Sequence, residues 1–303
     1  KGDDYTLTAT DTSRFTVTPN GGDEWGIKTD GTLVLNAVTV DGTNPSVKAW
    51  EKLRQAVNNV ADGGTVTVKG TVQATSATDN HGAIVITKKI TVKGEDPTPV
   101  LDANKNAGGG KPNHRIFTVE DGGELTLENI TLTGGMASGT GEGGQGGGIL
   151  VKERCKAKLK NCTVKACEAA EKGGGIYSLG ELTLDTSTIG GEQYYDGTVA
   201  GKTKGNQAKR GGGIYSEKGT IDVSAGSFIR YNKTAGSSGR EAGGGGIFIR
   251  DGKLTLSGTV SDNTALNGTA FVLGGGVYVG AKGEFIMETG AIISGNTSKF
   301  GGG

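Results

Sequence analysis

Residues 146–151 read GGGILV, and the same device returns as GGGIYS at 173–178, GGGIYS at 211–216, GGGIFI at 244–249 and GGGVYV at 274–279. The triplets start 27, 38, 33 and 30 residues apart. A period in this range marks a solenoid or a related repeat array. Unequal spacing around a constant motif means a fixed core turn that carries loops of variable length. The largest insertion holds GEQYYDGTVAGKTKG at 191–205.

Two more short strands follow each triplet. The first reads ELTL at 181, TIDV at 220, KLTL at 253 and EFIM at 284. The second ends in asparagine: IRYN closes at Asn232, VSDN at Asn263 and ISGN at Asn296, while Cys167 holds that place after Val164. Three strands and three corners per repeat describe one turn of a three-sided prism. Stacking such turns at the parallel-strand spacing of about 4.8 Å gives continuous ladders. The fold class is therefore all-β, a right-handed three-sided parallel β-helix over residues 62–303. Glycine takes corner backbone angles at low cost. An asparagine side chain inside a corner can bond the next turn's backbone, so Asn232, Asn263 and Asn296 read as a structural ladder.

Upstream, residues 1–44 read as a small β segment, with YTLTAT, RFTVT and GTLVLNAVTVDG alternating apolar and polar residues. One helix follows over residues 45–61. Asn44 can cap it and Pro45 suits its first position. Val47, Trp50, Leu53, Val57 and Val60 form one apolar stripe at helical spacing, and Asp62-Gly63-Gly64 ends it. A helix of this kind laid over the open end of a solenoid covers both its core and its last unpaired strands.

Composition narrows the function. With 32 basic and 32 acidic residues the formal net charge is zero, which argues against a nucleic-acid partner. No apolar run reaches the length of about 18 residues that a membrane helix needs, so no membrane insertion by this segment is expected. There are 58 glycines, and they fall at a repeating position, which favours a folded array over a flexible linker. The chain opens at Lys1 and closes on Gly301-Gly302-Gly303, the start of another triplet, so the natural protein is expected to continue and the solenoid to be truncated at its C-terminal end. Cys155, Cys162 and Cys167 fall within one repeat and read either as a local disulfide pair plus one or as small inward fillers. His81 and His114 stand alone in sequence. Neither the cysteines nor the histidines have metal-ligand spacing, and no metal or cofactor is expected.

The motif order, Gly-Gly-Gly-aliphatic before an aromatic and then aliphatic-x-x-Asn, resembles the polymorphic outer-membrane protein repeats over roughly residues 125–303. The third position here is glycine where that family carries alanine, and the companion motif lacks its phenylalanine. The helix-then-strand entry at 45–69 is similar to that of pectin-lyase-like β-helix proteins. The resemblance implies a secreted or cell-surface passenger, extracellular or on a bacterial outer membrane, with adhesive roles in virulence.

Catalytic constellations are not apparent. An enzyme on this fold would be a polysaccharide lyase or glycoside hydrolase with converging carboxylates. Asp185, Asp222, Asp251 and Asp262 are instead spread over different corners and read as turn formers or solvated charges. No catalytic residue is assigned. Alternation in the first strand of each turn sends the residue after the Ile/Val column outward: Leu150, Tyr177, Tyr215, Phe248 and Tyr278. The four aromatics would form a column that can hold a sugar ring or a peptide side chain. Against this stand a self-stacked or loop-covered column, and reversed parity that makes the rings core. Tyr194 and Tyr195 in the longest insertion are a second candidate pair. The expectation is a monomeric, surface-exposed or secreted adhesin-type binding domain for a host or matrix protein or glycan. A carbohydrate-active enzyme and a purely structural stalk are the alternatives.

Overall fold

A computed structural model describes residues 24–27, 33–44, 48–95, 99–105, 113–192, 204–234, 242–266 and 272–302. The repeats stack as a three-sided parallel β-helix with one α-helix. The first face contains Lys89–Gly94, Glu124–Glu128, Lys156–Lys160, Glu181–Asp185, Thr220–Val223, Lys253–Leu256 and Glu284–Met287. The second contains Val100–Asp102, Thr131–Thr133, Thr163–Lys165, Thr188–Gly190, Phe228–Arg230, Thr259–Ser261 and Ile292–Ser294. The third, which follows the glycine triplets, contains Ile84–Ile86, Phe117–Val119, Ile149–Val151, Ile176–Ser178, Ile214–Ser216, Ile247–Ile249 and Val277–Val279. Every pairing on these faces is parallel, as the triplet register predicts: Ile149 pairs with Ile176, Ile176 with Ile214, Ile214 with Ile247 and Ile247 with Val277.

The long strand Val60–Gln73 turns a corner and belongs to two faces, pairing with Lys89–Gly94 through its middle and with Val100–Asp102 through its end. Leu33–Gly42 lies parallel beside it, with Val38 opposite Val66 and Val40 opposite Val68. This part of the N-terminal segment is thus the first strand of the first face. Glu24–Ile27 pairs antiparallel outside it.

Alternation along each strand fills the prism. Leu125 and Leu127, Leu182 and Leu184, and Leu254 and Leu256 point in from the first face, Leu132, Val164, Ile189, Ile229 and Val260 from the second, and Ile149, Ile176, Ile214 and Ile247 from the third. All are essentially inaccessible to water. Each such aliphatic side chain contributes roughly 1.5–3 kcal/mol relative to an exposed one, so a chain poor in apolar residues still builds a continuous core.

The outward residues of the first face pair by charge. Lys89, Glu124, Lys156 and Glu181 lie side by side in register, as do Lys93, Glu128, Lys160 and Asp185. Lys156 Nζ lies 3.3 Å from Glu181 and 4.0 Å from Glu124, and Lys253 Nζ lies 3.0 Å from Glu284. Such exposed pairs are each worth only about 0.2–1 kcal/mol, but together they favour this order of strands.

Each glycine of a triplet has its own steric reason. Gly173 sits at φ +64°. A Cβ on Gly174 would lie 2.4 Å from the carbonyl oxygens of Gln207 and Gly212, and one on Gly175 would lie 2.8 Å from that of Gly213. The first glycine makes the corner; the other two let one turn close on the next.

The helix spans Ala49–Asn59, shorter at both ends than the residues 45–61 expected. Pro45 and Val47 lie outside the described residues. The N-cap position is Lys48, whose side chain makes no cap hydrogen bond. Asn80 supplies it instead: its Oδ1 accepts from the Glu51 backbone N–H at 3.1 Å. Asn44 is therefore not the cap, because Asn80, 29 positions after Glu51, is folded back onto the helix start. At the other end Val60 leaves the helix with extended backbone and opens the next strand, ahead of Asp62. The cap itself is as expected. Trp50, Leu53 and Val57 are buried with Ala49 and Ala56 against the end of the solenoid, and Trp50 Nε1 donates to the Gly82 carbonyl at 2.8 Å.

Candidate functional site

The parity of the third face is as the alternation predicts. Leu150, Tyr177, Tyr215 and Phe248 form a cluster separate from the prism core, with Tyr278 and Leu179 packed against it. The rings stack: centroids lie 5.5 Å apart for Tyr177 and Tyr215, 4.8 Å for Tyr215 and Phe248, and 4.4 Å for Phe248 and Tyr278. Their exposure is not what the sequence suggested. Tyr177, Tyr215 and Phe248 are 3%, 1% and 3% accessible, and only Tyr278 is half-buried. The column is self-stacked and roofed, so it does not offer an open aromatic surface.

Two ion-pair straps cross the face. Lys172, just before a triplet, reaches Glu217, just after the next turn's strand, at 2.9 Å. The Lys172 ammonium stands 5.0 Å from the Tyr215 ring centroid and 6.0 Å from that of Tyr177, a cation over the negative π-face. Tyr177 Oη donates to Glu217 Oε2 at 3.2 Å, and Arg250 pairs with the other carboxylate oxygen. Burial of the Glu217 carboxyl opposes ionisation, but Lys172 and Arg250 outweigh it and hold its pKa below the ordinary carboxylate value. Burial, and then the adjacent Glu217 charge, push the Tyr177 and Tyr215 hydroxyls well above the ordinary tyrosine value. Both phenols stay neutral donors at any physiological pH.

The second strap lies one to two turns toward the N-terminus. Lys152 Nζ contacts Glu120 at 2.8 Å and Glu142, in the 3₁₀ segment Gly141–Gly144, at 3.1 Å. The hydrogen bond that Lys152 donates to Glu120 in particular raises the Lys152 pKa. Beside this strap, with Leu150 and Leu179 in its lining, is a cleft of about 570 Å³ bordered by Asp121, Glu142, Gln145, Lys152, Glu153 and Arg154. Asp121, Glu153 and Arg154 are exposed, and Arg154 is held at φ +64°, a conformation uncommon for a long side chain.

The asparagine ladder is present and longer than its three expected members. Asn232 Nδ2 donates to the Ile189 carbonyl at 2.8 Å and to Asn263 Oδ1 at 3.0 Å, and its backbone N–H also donates to Asn263 Oδ1. Asn263 repeats this with Asn296 and the Ile229 carbonyl. Asn206 extends the ladder, accepting from the Cys167 N–H and donating to the Val164 carbonyl and Asn232. The spacing rule missed it because the insertion at 191–205 separates it from Ile189. The signal that could have found it is its place just ahead of Gln207–Ala208, which pairs with Lys233–Thr234 as the continuation of Asn232 does.

Cys155, Cys162 and Cys167 are free and buried, one at each corner of a single turn. Cys162 and Cys167 stand where later turns carry Ser187 and Asn206, whose side chains accept from their backbone N–H groups. Burial pushes the Cys162 thiol up to about 11 and the Cys167 thiol up to about 12. These are the small inward fillers of the two readings, not a disulfide.

Asp185 and Asp222 are on the first face, Asp251 follows the third and Asp262 sits at the asparagine corner with φ +54°. Asp222 lies opposite Thr183, diagonal to Asp185 on the neighbouring strand, but the structure does not gather the four in one place. Tyr194 and Tyr195 lie outside the described residues. Among the described residues no group of three His, Cys, Asp or Glu side chains is placed to hold a metal ion, and no helix is long and apolar enough to cross a membrane.

The chain is a parallel β-helix solenoid with a cleft on its triplet-bearing side. Comparison with protein-family models and with curated proteins finds no match for it.

Proposed function

We propose that this chain is a surface-exposed or secreted binding domain of the adhesin or passenger type, acting on a host or matrix protein or glycan, as the likeness of its motif order to the polymorphic outer-membrane protein repeats implies. The observation that carries the reading is the cleft over Leu150 and Leu179. It sets the half-buried Leu179, with fully buried Leu150 behind it, beside carboxylates and Arg154 on one face, with about 570 Å³ of space. Recognition sites pair an apolar surface with a few placed polar groups in this size range. The roofed aromatic stack beneath Lys172 and Glu217 then serves as the stiff wall of that face rather than as the contact surface.

Screening the protein against immobilised matrix proteins and glycans tests the proposal. Leu179→Asp and Arg154→Glu, at the cleft, should each weaken a detected interaction by about tenfold or more, equivalent to about 1.4 kcal/mol. Lys253→Glu, on the first face, should leave it unchanged. Equal loss from all three, or release of reducing ends or unsaturated products from any polysaccharide in a panel, contradicts the reading.

A further inference from the structure

His114 stands where the capping helix meets the solenoid. Its ring centroid lies 5.3 Å from that of Trp50, the largest fully buried side chain of the helix, at an interplanar angle of 56°. Its Nδ1 is 2.8 Å from the Arg115 carbonyl oxygen. A carbonyl can only accept, so Nδ1 carries the proton and Nε2 carries a lone pair. That Nε2 is sealed from solvent and has no hydrogen-bond partner among the described residues. The ring also borders a surface cavity of about 260 Å³ lined by Ala83, Met136 and Ala137 among others, a short route for a proton once the wall breathes.

We propose that His114 is an acid-sensitive latch for the helix Ala49–Asn59: protonation at Nε2 loosens the helix from the end of the prism. The charged and titratable groups around the ring favour this. From the helix comes Arg54, whose guanidinium donates to the His81 carbonyl at 3.0 Å. From the loop behind it comes His81 itself, and from its own segment Arg115, which is spent on the Glu142 and Gln145 carbonyls. Arg54 and Arg115 carry positive charge, and no carboxylate among the described residues forms an ion pair with the ring. A new N–H at Nε2 would have no acceptor, and its charge would have no counter-ion. Accordingly burial, with Arg54 and His81, lowers the His114 pKa from its ordinary value of 6.5. When the helix lifts, the ring meets water and its pKa returns to about 6.5. The opened state then binds more protons than the closed one below that pH. The latch is therefore fully closed above pH 6.5 and is lost as pH falls below it.

Hydrogen exchange on the intact chain tests this, with rates corrected for the intrinsic effect of pH. Between pH 7.5 and pH 5.0 the amides of Ala49–Asn59 should lose protection several-fold, while those of Lys253–Leu256 keep theirs. His114→Phe, which keeps a ring against Trp50 and cannot titrate, should abolish the pH dependence, and His81→Asn should retain it. Loss of helix protection in the wild type that persists in His114→Phe, or no loss at all, overturns the proposal. If the variant does not fold, wild-type NMR decides, because the chain has only two histidines. A His114 ring that titrates near 6.5 with the helix still protected also overturns it.

Discussion

Asn232 has no accessible surface and satisfies four groups at once. It accepts from the backbone and side chain of Asn206 and donates to Ile189 and to Asn263. Replacing it with alanine takes the partner from the buried Asn206 backbone N–H and Ile189 carbonyl, each at a cost of about 1–3 kcal/mol before relaxation, while Asn263 Oδ1 keeps the residue-232 backbone N–H and Asn206 Nδ2 keeps the Val164 carbonyl. We expect Asn232→Ala to lower stability by about 2–4 kcal/mol, read as a lower urea midpoint with an unchanged slope. A change under about 0.5 kcal/mol would show that the ladder is ornamental. This role was legible in the sequence because the spacing from Ile229, Val260 and Ile293 to the asparagine is constant. The cover over the aromatic column was not. The strap joins Lys172 to Glu217, 45 residues apart, and which charged side chain crosses a face depends on how many residues each loop spends before the next triplet. Alternation says which way Tyr215 points and nothing of what lies above it.

At the scale of an element, the turn holding the three cysteines makes the interior testable. A thiolate is the reactive species, and burial pushes two of these thiols to about 11 and about 12. All three should resist an aromatic disulfide reagent at pH 8 in the native protein and react fully in denaturant. Fast native reaction at Cys162 or Cys167 would mean that the turn opens locally. The helix shows which part of an element a sequence yields. Its apolar stripe at Trp50, Leu53 and Val57 settled its existence and the face it buries. Its start is not legible in the sequence, because the capping side chain, Asn80, comes from a later loop that only the closed fold brings into place.

For the whole molecule, stability in a solenoid is a sum over turns and their interfaces, and here the interfaces have a sign. Removing residues 149–175 would splice one triplet onto the next strand and take out a complete turn, with Lys156 and Lys160. Glu124 would then face Glu181, and Glu128 would face Asp185, like charges where the intact protein has opposite ones. The shortened protein should gain stability when ionic strength rises from about 0.02 M to about 0.5 M, whereas the intact protein should be indifferent or slightly weakened. Identical salt responses would mean that the charges are mere solvation.

The alternating face also bears on how such a chain could grow. Between Lys89 and Glu181 the charge repeat is two turns long, twice the repeat of the backbone. Duplicating or deleting a single turn there costs a mismatch, and duplicating two does not. On that stretch the unit of inheritance would be the pair, a constraint written on the solvent side of a molecule whose core is indifferent to it.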